Sequence, residues 1–265
     1  GIRMSNTVLP IVSLWKRELV RFARDRSRLY GSIGQPLVFW LLMGAGFEGS
    51  FLPAGLPDHV GYLEYIFPGT LLLILLFTAI FSTISVIEDR REGFLQSVLV
   101  SPISRTSLVM GKIMGGTTLA LGESVVFLLF LIGLDIPVSV SSLLMTIGFL
   151  ALLGLSLTGM GFVIAWRMTS TAGFHAVMNL FLLPMWVLSG AFFPVDGASS
   201  WLSWMMVINP LTYGMAGLRQ AIYWTEPLTQ TALPGMGLCV GVTVGFAVLT
   251  WGLAVWQAQK DVAGT

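Results

Sequence analysis

Few side chains in this sequence are chemically versatile, and their spacing argues against a reaction carried out by the chain itself. Gly111-Lys112 is followed by Ile113, so the G-x-x-x-x-G-K-[ST] phosphate cradle with its Mg²⁺-binding hydroxyl is absent. No Ser/His/Asp set or paired-carboxylate arrangement stands out. The one cysteine, Cys239, excludes an intrachain disulfide and a Cys-rich metal site. Within its apolar run it reads as a small buried thiol. His59 sits among glycine, proline and acids with no ligand at metal spacing, so it reads as solvated and no metal site is expected.

What remains is polar chemistry inside apolar surroundings. Glu123 lies within a long apolar run, where a carboxylate costs about 2.5–3.5 kcal/mol on insertion scales. It should therefore face a cavity or tie one helix to another, through His175 or Asn179, or persist as a neutral hydrogen-bonded carboxyl. His175 and Asn179 are four apart, on one face of a helix, and suit helix packing as well as ligand contact. Arg219 stands nearly alone and is expected to pair with Glu226 or a lipid phosphate. The densest charge is in Glu88–Lys112, E-D-R-R-E-G-F-L-Q-S-V-L-V-S-P-I-S-R-T-S-L-V-M-G-K.

The elements that must position these residues are membrane helices. Of 265 residues 55% are hydrophobic and 10% charged, far below the roughly 25% charge of a soluble domain, and mean hydropathy is +0.84. Gly1-Ile2-Arg3 reads as an added leader before Met4, and no cleavable signal is evident. Residues 12–28 carry Val12, Trp15, Leu19 and Phe22 on one helical face among six basic residues, the pattern of an amphipathic helix lying in the membrane interface. A plain basic flank that only fixes topology would look similar. Runs long enough to cross hydrocarbon are expected at 29–47, with a kink at Pro36, and at 65–87, 108–133, 143–166, 171–189 and 233–256. Residues 48–64 read as a loop. The fourth run is glycine-rich, which lets helices approach closely.

Between the fifth and sixth runs, 190–232 is too interrupted to cross. Two short aromatic-rich helices, 199–207 and 211–223, are expected there, split at Asn209-Pro210 and lying at the interface. Placing the N-terminus in the cytoplasm puts 13 of the 14 lysines and arginines on that side and leaves Arg219 outside, a nearly complete positive-inside bias. Six crossings then return the C-terminus to the cytoplasm. On this topology Gly93–Val100 is a short cytoplasmic helix, stopped by Ser101-Pro102. Phe94, Leu95, Val98 and Leu99 on one side are suited to insertion into a partner's groove; a loop that only holds orientation is the plainer reading.

The run R-R-E-G-F-L-Q-S-V-L-V-S-P-I-S-R-x-x-L-V-M-G-K resembles the coupling loop of type-2 ABC transporter permeases, membrane subunits of polysaccharide, lipid and drug exporters. The resemblance extends over R-D-R-S-R-L, Gln35-Pro36, L-S-G-A-F-F-P at 188–194 and N-P-L-T-Y at 209–213. It implies an all-α integral membrane fold: six transmembrane helices, an N-terminal amphipathic connecting helix, a cytoplasmic coupling helix and outer re-entrant helices. It also implies a homodimer in a prokaryotic-type inner membrane, served by two copies of a cytoplasmic ATPase subunit that holds ATP and Mg²⁺. No cofactor would reside in this chain, and no nucleic acid is expected.

The implied ATPase contacts are Arg90, Arg91, Glu92, Gly93, Phe94, Leu95, Gln96, Val98, Leu99, Ser101, Pro102 and Arg105. Asn209, Pro210, Tyr213 and Arg219 fall in the implied re-entrant segment. Phe94 stands where threonine is usual and Gln96 where glutamate is usual, which removes one acidic contact and shifts the expected docking toward apolar insertion at Phe94. An ATP-driven exporter of an amphipathic or lipid-linked substrate is the favoured reading. Its rivals are an ion-coupled secondary transporter, which would need inverted repeats, and an envelope assembly or signalling protein on the same fold.

Overall fold

Apolar runs that must satisfy their own backbone in hydrocarbon can only be helices or closed barrels, and here they are helices. The computed structural model describes residues 2–50, 60–134, 136–228 and 233–260, and every regular element among them is helical. The solvated reading of His59 lies outside the described residues. In order, the α-helices are α1 (Ile2–Arg24), α2 (Arg26–Phe47), α3 (Tyr62–Arg91), α4 (Phe94–Val100), α5 (Arg105–Leu128), α6 (Val140–Arg167), α7 (Thr171–Trp186), α8 (Ser200–Ile208), α9 (Pro210–Ile222) and α10 (Met236–Lys260).

Five helices are long and apolar enough to cross a membrane: α3, α5 with the 3-10 turn that extends it, α6, α7 with its π turn, and α10. Helix α2, the expected first crossing, is 22 residues, about 33 Å at 1.5 Å per residue. It is long enough, but Arg26, Ser27, Arg28, Ser32 and Gln35 dilute its apolar character. Helix α3 is the axis of the bundle: its apolar stretch is almost wholly buried, while α7 and α10 are mostly open to their surroundings. Three of the four glycines noted in the fourth run, Gly154, Gly159 and Gly161, sit where α6 meets α5, α10 and α3, and Gly148 faces open space.

Three boundaries differ from expectation in ways that matter. The amphipathic helix starts at Ile2 and does not turn Val12 inward. Leu14, Glu18 and Phe22 form the buried stripe, lying along α5 where Gly111 and Gly115 leave no room for a side chain. The loop expected at 88–107 is helical at both ends, since α3 runs on to Arg91 and α5 begins at Arg105. Helix α3 also starts earlier, which places Pro68 inside it. The missing N–H of Pro68 leaves the Glu64 carbonyl without its helical donor, and the Tyr223 hydroxyl donates to that carbonyl at 2.9 Å.

Candidate functional site

The basic end of the bundle is organised on Asp89, which is fully buried in the last turn of α3. Arg17 donates to its two oxygens at 3.0 and 2.8 Å. Arg21 donates at 2.6 Å and the Lys112 ammonium at 2.5 Å. Lys112, itself buried, also donates to Glu18 at 2.8 Å and to Ser85 at 3.2 Å. Immediately before it in α3, Glu88 accepts from Arg21 at 2.8 Å and from Arg28 of α2. Arg28 in turn reaches Asp25, the N-cap of α2, at 2.9 Å. Removing charges from water is costly unless partners surround them, and here the partners come from α1, α2, α3 and α5. The network therefore ties four helix ends into one body.

Helix α4 hangs from this body. Gly93 links it to α3 in the left-handed region at φ +76°. Leu95 and Val98 are buried in the chain's own core, with Phe94 and Leu99 packed partly against it. The Arg17 guanidinium lies 3.7 Å over the Phe94 ring, an attraction between a cation and the ring face. The apolar side expected to enter a partner is thus already occupied. What α4 and its flank present outward is Arg91, Glu92, Gln96, Ser97 and Val100, the last 88% exposed.

Arg90 turns inward, donating to the carbonyls of Met168 at 2.9 Å and of Trp166, and so closes the end of α6. Arg105 donates to the Leu99 carbonyl at 2.9 Å and closes the end of α4. The Ser101 hydroxyl donates to the Val98 carbonyl at 2.7 Å, and Pro102 is exposed beyond it.

Mid-bundle, Glu123 of α5 accepts from Ser32 of α2 at 2.9 Å and from Thr78 of α3. It is a tie between three helices, but neither His175 nor Asn179 is its partner. Those two side chains are exposed on α7. Together with Gln35 of α2 they line a cleft whose floor is Phe77, Ile80 and Phe81 of α3. The Phe81 and His175 rings lie 5.7 Å apart.

At the opposite end, α7 passes into a π turn at Val187–Ala191 and breaks at Gly190, φ +85°. Carbonyls around the break take the polar residues of the α8–α9 segment. Asn209 donates to Met185 at 2.7 Å, Thr212 to Leu188 at 3.2 Å, and Arg219 to Gly190 at 3.2 Å. Asn209 also caps α9 by accepting from the Leu211 N–H at 3.0 Å. Pro210 follows as the first helical residue, where its missing N–H costs nothing. Tyr213 donates to the Val207 carbonyl at 2.9 Å.

The expected pairing of Arg219 with Glu226 or a phosphate is not what is found. Arg219 is buried, donates to the Tyr65 carbonyl at 2.7 Å and lies over the Tyr65 ring at 4.4 Å. These residues hold the fold of the α8–α9 segment. Its exposed aromatic side chains are Trp201 and Trp204 of α8 and Trp224 beyond α9.

Sequence reasoning missed the partners rather than the islands. Glu18 falls on the apolar stripe between Leu14 and Phe22, and Lys112 sits at the start of an apolar run. Each is a charge in the wrong surroundings, and together they are the signal of a buried pair.

Comparison with known proteins gives this architecture a family. Residues 10–223 match the model of the ABC-2 type transporter family. The transport permease ycf38 of Cyanophora paradoxa is 30% identical over 210 residues, 78% of this chain and 71% of that protein. Nodulation protein J of Rhizobium leguminosarum bv. viciae is 23% identical over 244 residues, 90% of this chain and 92% of its own length. The multidrug ABC transporter permease YbhR of Escherichia coli (strain K12) is 26% identical over 157 residues, 58% of this chain and 42% of that protein. An all-helical bundle with apolar crossing helices, a short helix held outside it on a charged network, and a family match that spans both agree: the chain is a multi-pass membrane protein of the ABC-2 type transporter family, a transporter's membrane subunit.

Proposed function

We propose that this chain is the permease of an ATP-driven exporter, working as two copies with two copies of a separate ATPase subunit that binds ATP and Mg²⁺. The basic end faces the cytoplasm, α2 crosses with the other five helices, and α8 and α9 form an outer re-entrant segment among the membrane lipids. The observation that carries this reading is α4: a short helix fixed to the bundle by its apolar side, with Arg91, Gln96 and Val100 exposed at the surface beside Glu92, which Arg21 reaches at 3.4 Å. Closure of the ATPase pushes on that outer face. Because Arg17 bridges Phe94 and Asp89, the push reaches α1, α3 and α5, and through Glu88 and Arg28 it reaches α2. Rigid-body rocking of these helices opens the path along α2, α3 and α7 between the copies. An amphipathic or lipid-linked substrate moves outward there.

The test is capture of the ATPase by the purified permease in detergent. Wild type and the buried-side variant Leu99→Met retain it, while Arg91→Glu and Val100→Asp lose it. Capture that is indifferent to both outer-face changes, or ATP turnover by the permease alone, would overturn the assignment. Transport that follows a proton gradient instead would favour an ion-coupled carrier working through Glu123.

A further inference from the structure

Glu123 is buried in the middle of α5, 7% exposed, about 16 Å along the helix from Lys112 at 1.5 Å per residue. Its two partners are hydroxyl groups. Thr78 Oγ1 of α3 meets Oε2, and Ser32 Oγ of α2 lies 2.9 Å from Oε1. Ser32 Oγ also lies 3.1 Å from the Leu29 carbonyl, one turn back in its own helix. A serine hydroxyl has one proton to give, whereas a carbonyl can only accept. With the Ser32 proton on Leu29, the contact between Ser32 and Glu123 needs a proton from the carboxyl. A protonated Glu123 gives every oxygen a role: Oε1–H donates to Ser32, Ser32 donates to Leu29, and Thr78 donates to Oε2. A carboxylate would instead bury a full charge against two hydroxyls, which is costly, and would leave one of the two Ser32 contacts without a proton.

The charged groups of the surrounding helices are engaged elsewhere, and none pairs with Glu123 among the described residues. On α2, Arg28 is one turn from Ser32 and is held by Asp25 and Glu88, while Tyr30 is exposed. Glu18, Arg17 and Arg21 of α1, Asp89 of α3 and Lys112 of α5 close on one another at the basic end. Helix α6 carries its one titratable side chain, Arg167, at that same end, and α10 carries Cys239 and Lys260 near its two ends.

We infer that Glu123 is held as a carboxylic acid, and that its single proton closes a clasp across α2, α3 and α5. Polar links fasten α2 to its neighbours at three levels: Arg28 to Glu88, Ser32 to Glu123, and the Trp40 indole to the Leu63 carbonyl at 3.0 Å. The middle link exists through one proton and opens when that proton leaves, because a negative charge then sits between three helices with no cation to meet it. Helix α2 can thus be held or released without disturbing the ion network around Asp89. The bearing of this clasp on transport rests on the permease reading; the proton itself does not.

The experiment compares the full chain and its variants in phosphatidylcholine nanodiscs by infrared spectroscopy and by melting. At neutral pH the spectrum of wild type minus Glu123→Gln should contain the C=O stretch of a protonated carboxylic acid. Ser32→Ala removes the acceptor of that proton and should move the band to higher frequency without abolishing it. Glu123→Gln should melt with wild type, since an amide can donate to Ser32 and accept from Thr78, whereas Glu123→Ala should melt lower by about 4 °C or more. As pH is raised until the band disappears, wild type should fall below Glu123→Gln in melting temperature, both changes occurring at one pH.

A difference spectrum with carboxylate stretches and no acid C=O overturns the proposal. So does Glu123→Gln melting as low as Glu123→Ala, since charge and not a proton would then hold the helices together. Neither measurement involves the ATPase. Failure here leaves ATPase capture by α4 intact, whereas lost capture with the acid band in place would count against the permease reading alone.

Discussion

At the basic end, Asp89 accepts hydrogen bonds from Arg17, Arg21 and Lys112. At the other end, Arg219 gives its hydrogen bonds to the neutral carbonyls of Tyr65 and Gly190. Both arrangements bury a charge and tie helix ends together, but they differ in what they permit. A carboxylate with three cations, two on α1 and one on α5, can loosen one and keep its charge balanced by the others. Its neighbours Glu18 and Glu88 offer the released cation another acid. A guanidinium on backbone carbonyls has no such exchange, because neither acceptor, Tyr65 in α3 or Gly190 at the break of α7, has a second acceptor of equal charge beside it to take its place. The basic end can therefore shift as a linked set, while the α8–α9 segment holds one shape against which that shift is resisted.

The comparison is broken most directly at its two anchors. Asp89→Ala removes the acceptor that Lys112, Arg17 and Arg21 share and leaves the basic end with an excess of positive charge, and breaking a buried ion network in this way costs about 3–5 kcal/mol. Lys112→Met should cost clearly less, because Asp89 keeps Arg17 and Arg21, and the double variant should cost less than the sum of the two. Melting of the purified variants in one detergent ranks them; equal losses for the two single changes would mean that the cations are not interchangeable. Arg219→Leu removes two hydrogen bonds from a charged donor and should cost about 2–3 kcal/mol. Arg219→Lys should recover roughly half of that, since one ammonium cannot reach both carbonyls with a planar fork. Full recovery by lysine would reduce the Arg219 end to simple charge and erase the contrast.

The two ends were unequally legible in the sequence. Each expected apolar run falls on a helix whose ends lie within a few residues of it, because hydrocarbon thickness sets a minimum length and leaves little freedom. Asn209-Pro210 placed the division between α8 and α9 for an equally local reason. The site was less accessible. Glu123 was recognisable as a buried group needing partners, but Ser32 and Thr78 are ordinary residues on other helices, and nothing local marks them. The amphipathic side of α4 was visible; its direction was not, because an apolar face reads the same whether it meets its own bundle or a stranger. The clue that would have decided it is Arg17, whose place over Phe94 depends on α1 lying along α5. Packing of that kind follows from Gly111 and Gly115 only when both helices are considered together.

The smallest effect sharpens the comparison furthest. Among the described residues, those with positive φ are Gly93 and Gly190, one at each end, and neither has a neighbour that an added methyl group would strike. Alanine at either position meets the same local penalty, about 1–2 kcal/mol for a left-handed residue, so Gly93→Ala and Gly190→Ala should lower stability to a similar degree. Their functional consequences should separate. At Gly93 the strain is relieved by swinging α4 relative to α3, which moves Arg91 and Val100 together and should weaken ATPase capture. At Gly190 it is relieved within the break of α7, whose carbonyls are already gripped by Asn209, Thr212 and Arg219, and capture should be unchanged. Matched losses of stability with capture impaired only at Gly93 would place the moving part at the basic end. Impairment at both would mean that the α8–α9 segment moves with it, and the division between a shifting end and a holding one would have to be abandoned.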